Sequence, residues 1–223
     1  SFVDIGATSE IVFGILDRDA GETAGFAGND RSKTEDNSNT FTVTVDLSNS
    51  VGEDVSIEYE LSGTATLDAD YERADGQSSA TGTLTFPSGS TQESFGLDLL
   101  EDSKFEGNED IVVSLTSSDS DQVTLADNSG PPELTLTIEE SSSEPEVQFA
   151  SNAFSGTEGT TSGLTLELSK STAVDVEVDY TVINNSASNS DRTLISNNPI
   201  TIPAGQTTKD ITFSLDDDSE KEG

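Results

Sequence analysis

The sequence predicts an all-β protein made of two β-sandwiches in tandem, and three observations carry that prediction. Apolar and polar residues alternate with a period of two along most of the chain. No window sustains a 3.6-residue apolar stripe. An acidic passage also occurs twice: Pro87-Ser-Gly-Ser-Thr-Gln leads through an alternating stretch to Leu100-Glu-Asp-Ser-Lys-Phe-Glu-Gly107, and Pro203-Ala-Gly-Gln-Thr-Thr leads to Asp216-Asp-Asp-Ser-Glu-Lys-Glu-Gly223. Pro87 and Pro203 are 116 residues apart, as are Gly107 and Gly223, a spacing that suits a repeated domain rather than a solenoid turn.

The strands follow in order. Phe41, Val43, Val45 and Leu47 alternate with Thr42, Thr44 and Asp46, and Val55, Ile57, Tyr59 and Leu61 repeat the pattern. Phe95, Leu97 and Leu99 come next, then Ile111, Val113 and Leu115, and Leu134, Leu136 and Ile138 close the first unit. The second unit has Leu164, Leu166 and Leu168, then alternation from Val174 to Val182, then Ile211, Phe213 and Leu215. Clusters of Gly, Asn, Asp and Ser separate the runs, as antiparallel strands require. The Gly-, Asp- and Asn-rich stretch Ala20 to Asn39 reads as an inserted loop, and Asn184 to Asn198 as a comparable one. The boundary falls near Glu139-Glu-Ser-Ser-Ser-Glu-Pro145, where Pro145 holds its predecessor extended, so the units are 1–141 and 145–223 with a short, stiff linker.

Charge limits the function. With 44 acidic against 9 basic residues the net charge is −35, and the clustered Lys and Arg that phosphate contacts need are missing. Nucleic acid is thereby excluded as an expected partner, and an anionic membrane surface is disfavoured. No run approaches the apolar length of a membrane span, so no direct membrane insertion is expected. Without Cys there is neither a disulfide framework nor a thiolate metal site, and without His there is no imidazole base or ligand. What is left is a carboxylate pair of the glycosidase type, whose cleft needs aromatic platforms, and the chain has no Trp and only Tyr59, Tyr71 and Tyr180, of which Tyr59 and Tyr180 lie on strand alternation. The expectation is therefore that the protein is not an enzyme. The missing initiator Met reads as a piece of something longer.

The acidic passages carry the chemistry. Two carboxylates about 5 Å apart repel by roughly 3 kcal/mol at an effective dielectric of 20. A loop that packs several together needs a counter-cation, raised pKa values or intervening solvent. Hard divalent ions bound only by oxygen are the first candidates, while solvation in a salty medium is the bland alternative.

The motifs around these passages resemble the Calx-beta domain. They are Glu35-Asp36, Gly63-Thr-Ala-Thr66, Asp70-Tyr71, Gly82-Thr-Leu-Thr-Phe86, Pro87-Ser-Gly89, Glu101-Asp102 and Glu106-Gly107, followed by Glu109. The second unit is similar through Glu158-Gly159, Pro203-Ala-Gly205, Asp217-Asp218 and Glu222-Gly223. The resemblance implies immunoglobulin-like antiparallel sandwiches of seven strands, with Ca2+ at one tip near the junction with the next domain. Carried over position by position, the implied ligands are Glu35, Asp70, Glu101, Asp102, Glu106 and Glu109, with the acidic run Glu139 and Glu140 closing the last strand. In the second unit they are Glu158, Asp191, Asp217, Asp218 and Glu222. The departures are a Glu-rich rather than Asp-rich closing run, Asp191-Arg192 in place of the Asp-Tyr pair, and a second unit that lacks its last two strands.

The function this implies is a calcium-binding structural repeat that stiffens a large secreted or bacterial cell-surface, adhesin-like protein, its partners being neighbouring repeats of the same chain. The alternative is a calcium-sensing regulatory segment of an ion-exchanger-type membrane protein, in which Cys, Met and His would be more common. Missing strands would leave an open edge, which invites strand exchange with another chain. Residues Ile11 to Ile15 are one candidate donor.

Overall fold

The computed structural model describes residues 21–28, 31–125, 132–183 and 190–217. All of its regular elements are strands. The first group is β1 (Glu22–Phe26), β2 (Ser32–Thr34), β3 (Thr40–Leu47), β4 (Val55–Gly63), β5 (Tyr71–Arg73), β6 (Thr81–Phe86), β7 (Gln92–Leu99), β8 (Glu109–Ser118), β9 (Val123–Leu125) and β10 (Glu133–Glu139). These form two five-stranded sheets, ordered β5-β7-β3-β1-β9 and β2-β10-β8-β4-β6.

The alternation decides which faces meet. On β3, Phe41, Val43, Val45 and Leu47 are buried and oppose Leu97 and Phe95 of β7 across an antiparallel register. Val55, Ile57, Tyr59 and Leu61 of β4, with Ile111, Val113 and Leu115 of β8 and Leu134, Leu136 and Ile138 of β10, cover the other side of the same core. A sandwich results, because each sheet is apolar on one face only. Burying a Val, Leu, Ile or Phe side chain contributes about 1.5–3 kcal/mol, so this core is the main source of stability.

The stretch expected as an inserted loop contains two strands. β1 pairs antiparallel with β3 and parallel with β9, and β2 pairs parallel with β10. Only Ala24 of β1 is fully buried and β2 buries no side chain completely. These edge strands are held by main-chain hydrogen bonds, which leave no apolar pattern to read. Together with β5 and β9 they raise the strand count of the first unit above the seven expected.

The second group is β11 (Val147–Phe149), β12 (Thr161–Leu168), β13 (Val176–Val178), β14 (Arg192–Leu194), β15 (Ile200–Ile202) and β16 (Thr208–Leu215). A four-stranded sheet runs β11-β12-β16-β14, and β13 pairs with β15. β14 lies inside the second expected loop, of which residues 184–189 are outside the described residues, and the candidate donor Ile11 to Ile15 lies wholly outside them. Leu166, Leu168, Ile200, Ile202, Ile211 and Phe213 make a smaller core. Among the described residues the large apolar side chains left exposed, Val147, Phe149, Phe154, Val174, Val182, Ile183 and Ile195, all belong to this second group.

Candidate metal centre

One end of the first sandwich gathers the acids. Glu35 follows β2, Asp70 precedes β5, Asp102 and Glu106 lie in the β7–β8 loop, Glu109 opens β8 and Glu140 follows β10. The sheet order makes these points converge. β2 and β10 run parallel and end together, while β8 runs antiparallel to β10 and starts where β10 ends. β5 starts opposite the end of β7, with Tyr71 paired to Leu99.

Two motif glycines permit the approach. Gly63, at the end of β4, has φ +125°, and a Cβ there would lie 2.1 Å from the Asp110 carbonyl oxygen, next to Glu109. Gly107 has φ +80°, a left-handed conformation that L side chains disfavour, and it turns the chain from Glu106 toward Glu109.

Carboxylate oxygens of Glu35, Asp102 and Glu106 come within 4.8 Å of one another, and so do those of Asp70, Glu106 and Glu109. Glu106 belongs to both triads. Backbone donors hold several of these groups in place: Thr66 N–H donates to Asp70 Oδ2 at 2.5 Å, and Asp102 N–H to Glu35 Oε1 at 3.2 Å. Glu140 Oε2 accepts from the N–H groups of Glu106 at 2.8 Å and Gly107 at 3.2 Å, and its Oε1 accepts from Ser142 N–H. Glu140 therefore braces the acidic loop from behind. Glu101 and Glu139 are exposed and stand outside both triads.

Crowding and burial show in the electrostatics. Burial, then hydrogen bonding and repulsion from Asp70, with further repulsion from Glu106 and Glu35, push the Glu109 carboxyl up to about 8. Burial also raises Glu35, reinforced by Glu140, Asp102 and Asp70, and it raises Glu106, reinforced by Asp70 and Asp102. For Glu140, burial alone would raise the carboxyl, but the backbone donors outweigh it and hold it below the ordinary range. Burial likewise opposes the lowering of Asp102, and hydrogen bonds and charge from Lys104 overcome it. A carboxyl held protonated near neutral pH marks a place short of positive charge.

The donor set fits a hard divalent cation. All candidate ligands are carboxylates, and oxygens bound to Ca2+ at 2.3–2.6 Å lie at most about 5 Å apart across the ion, the spread seen in each triad.

The second group offers less. Glu158 and Asp217 are exposed and Asp191 is half-buried; Glu158 and Asp191 line a shallow cavity with Phe154, Gly156, Arg192 and Leu215. Asp218 and Glu222 lie outside the described residues. Among the described residues, both triads close enough to share an ion belong to the first group.

Several residues of the site had no place in the sequence reading. Asn37 Oδ1 accepts from Glu101 N–H at 2.9 Å and Asn108 Oδ1 from Glu140 N–H at 3.0 Å; asparagines beside acidic loops are the only hint of this in the sequence. Lys104 Nζ lies 3.0 Å from Asp102 Oδ2 and 3.7 Å from Glu106 Oε1. Phe105 reaches the second group: its N–H donates to Ser171 O at 3.0 Å, and its carbonyl accepts from Ala173 N–H at 3.2 Å, bracketing Thr172. The acidic loop is thus bonded through its backbone to the turn between β12 and β13.

No curated protein matches the chain. Among solved structures it is similar to the apo form of the Calx CBD1 domain, at 26% identity over 55% of this chain and 100% of that one, with a TM-score of 0.45. It is also similar to CBD12 from CALX1.2, at 23% identity over 89% of this chain and 76% of that one (TM-score 0.45), and to the calcium binding domain CBD12 of CALX1.1, at 21% over 85% and 74% (TM-score 0.45). Residues 17–142, more than half of the sequence, match the Calx-beta domain family. The chain belongs to the Calx-beta domain family.

Proposed function

We propose that the chain is a non-catalytic calcium-binding module, in which Ca2+ at the acidic tip of the first unit stiffens the junction with the second. The observation that carries this reading is the pair of carboxylate triads sharing Glu106, one residue from the backbone bonds that Phe105 makes to Ser171 and Ala173. Glu35, Asp70, Asp102, Glu106 and Glu109 would hold the ion, which supplies the positive charge these residues lack. Glu140 orients the loop through the Glu106 and Gly107 amides. With the ion bound, the mutual repulsion of the acids becomes attraction toward a common centre, and the loop that carries Phe105 loses freedom.

The reading extends to a structural repeat in a large extracellular or cell-surface protein, where neighbouring repeats of the same chain are the partners. The high negative charge and the all-oxygen site support it, because extracellular calcium is abundant enough to fill sites of modest affinity. Among the described residues no helix is long and apolar enough to cross a membrane. The test is thermal unfolding in millimolar calcium and in chelator at matched ionic strength. A ligand at a hundredfold excess over Kd adds about 2.7 kcal/mol to the state that binds it. The first unit's midpoint should rise with calcium and not with an equal ionic strength of sodium; an unchanged midpoint refutes the proposal.

A further inference from the structure

We propose that Lys104 is a tethered counter-cation that competes with calcium for the acidic tip and thereby sets the concentration at which the tip loads. This rests on the calcium reading above and adds a regulator to it. The ammonium lies against Asp102 and Glu106, so it touches a member of each triad, and Glu106 is common to both. A cation in that position occupies charge that a divalent ion would otherwise use.

The geometry lets the side chain leave without dismantling the loop. The Lys104 side chain is 47% exposed, whereas the Glu106 side chain is only 16% exposed. The backbone at Lys104 is held separately: its N–H donates to Asp102 Oδ1 at 2.7 Å, and the next residue is bonded on both sides to the second unit. The flexible stem can therefore swing the ammonium into water, where it is strongly hydrated, while the carboxylates stay in place. Lysine suits this role better than arginine, whose planar fork would clamp a carboxylate through two bonds. The repeat shows that the loop does not demand a lysine, since Glu220 stands at the position equivalent to Lys104.

Two consequences follow. In the ion-free protein Lys104 offsets part of the repulsion among the acids and stabilises the tip. In the calcium-loaded protein it is displaced, so the ion must outcompete it and affinity is lower than the carboxylates alone would give.

The test is calorimetric titration of CaCl2 into the 223-residue protein and into Lys104→Gln, Lys104→Arg and Lys209→Gln at one ionic strength, with chelator-treated melts of each. Lys104→Gln should bind calcium about three- to tenfold more tightly, the range an exposed pair with two partners supports, and its ion-free form should melt lower. Lys104→Arg, whose fork holds a carboxylate more firmly, should bind calcium more weakly than the parent, whereas Lys209→Gln, which removes the same charge from β16, should stay near it. Equal affinity in Lys104→Gln and the parent overturns the proposal, as does an equal gain in Lys209→Gln. If neither the parent nor Lys104→Gln takes up calcium, the calcium reading fails, and the counter-cation role is decided by the ion-free melts. An unchanged midpoint there overturns it too.

Discussion

The two halves of the molecule carry the same acidic passage at the same spacing, yet only the first draws its acids into ligand distance among the described residues. At the first tip Asp70 precedes Tyr71, whose ring is buried in the core and anchors the start of β5 beside the end of β7. At the second, Asp191 precedes Arg192, whose guanidinium lies 6.0 Å over the Phe213 ring. The first tip also draws Glu109 from β8 and Glu140 from beyond β10, elements without a counterpart among the described residues of the second group. At the first tip the acidic loop becomes a candidate site because strands of both sheets begin or end beside it and bring their carboxylates to one point.

The strongest way to break the comparison is to disturb that convergence. Gly63→Ala would place a Cβ against the Asp110 carbonyl at a φ that alanine disfavours, and it should destabilise the first unit by about 3 kcal/mol or more. Urea unfolding would show this as a lower midpoint for the first transition, with the second unit's transition unmoved.

Next in size is loss of the calcium response. Asp102→Asn is nearly isosteric and removes a charge shared by Glu35 and Glu106. It should abolish most of the calcium-induced rise in midpoint and leave the ion-free fold nearly intact. Asp191→Asn in the second group should leave the rise unchanged. Equal losses in both variants would mean that the two tips act alike.

Smaller still is a pH effect. Glu109 has a folded-state pKa of about 8 against an ordinary value of 4.5. Between those values the folded state holds a proton that the unfolded state has released, so raising the pH lowers stability across this window. The ion-free first unit should therefore melt lower at pH 8 than at pH 6, and Glu109→Gln should flatten the slope. Calcium binding near neutral pH should release a proton, since ligation needs the ionised carboxylate. Titrations in buffers of different ionisation enthalpy would detect it. A calcium-binding protein with no proton release would contradict the raised Glu109.

The smallest free-energy change concerns the junction. Phe105→Pro removes the amide that donates to Ser171 and should broaden the distribution of interdomain lengths seen by small-angle scattering with calcium present. Phe105→Ala keeps both backbone bonds and should not.

Much of the fold was legible because alternation reports which face of a strand is buried. Phe41 to Leu47, Val55 to Leu61, Ile111 to Leu115 and Leu134 to Ile138 all point inward as their period predicts. Tyr59 is core, stacked on Phe95 with ring centroids 4.1 Å apart. β1, β2 and β14 were not legible, since short edge strands bonded through the main chain need no apolar pattern. In the acidic tip, Glu35, Asp70, Asp102, Glu106 and Glu109 were carried by motif positions and do come together. Glu101 and Glu139 come from the same motifs but are exposed and lie outside the triads.

By itself, then, the sequence determined the strand class, the inward faces, the absence of thiol and imidazole chemistry, and the presence of carboxylates directly after strands. Those are local properties, readable from period and composition. Only the tertiary structure decided which carboxylates meet, that Lys104 lies against them and that Phe105 joins their loop to the second unit. The Asp102 amide bonds to Glu35 across 67 residues, and the Glu106 amide bonds to Glu140 across 34. Such contacts depend on sheet order and register, which long-range strand pairing sets and no local pattern encodes.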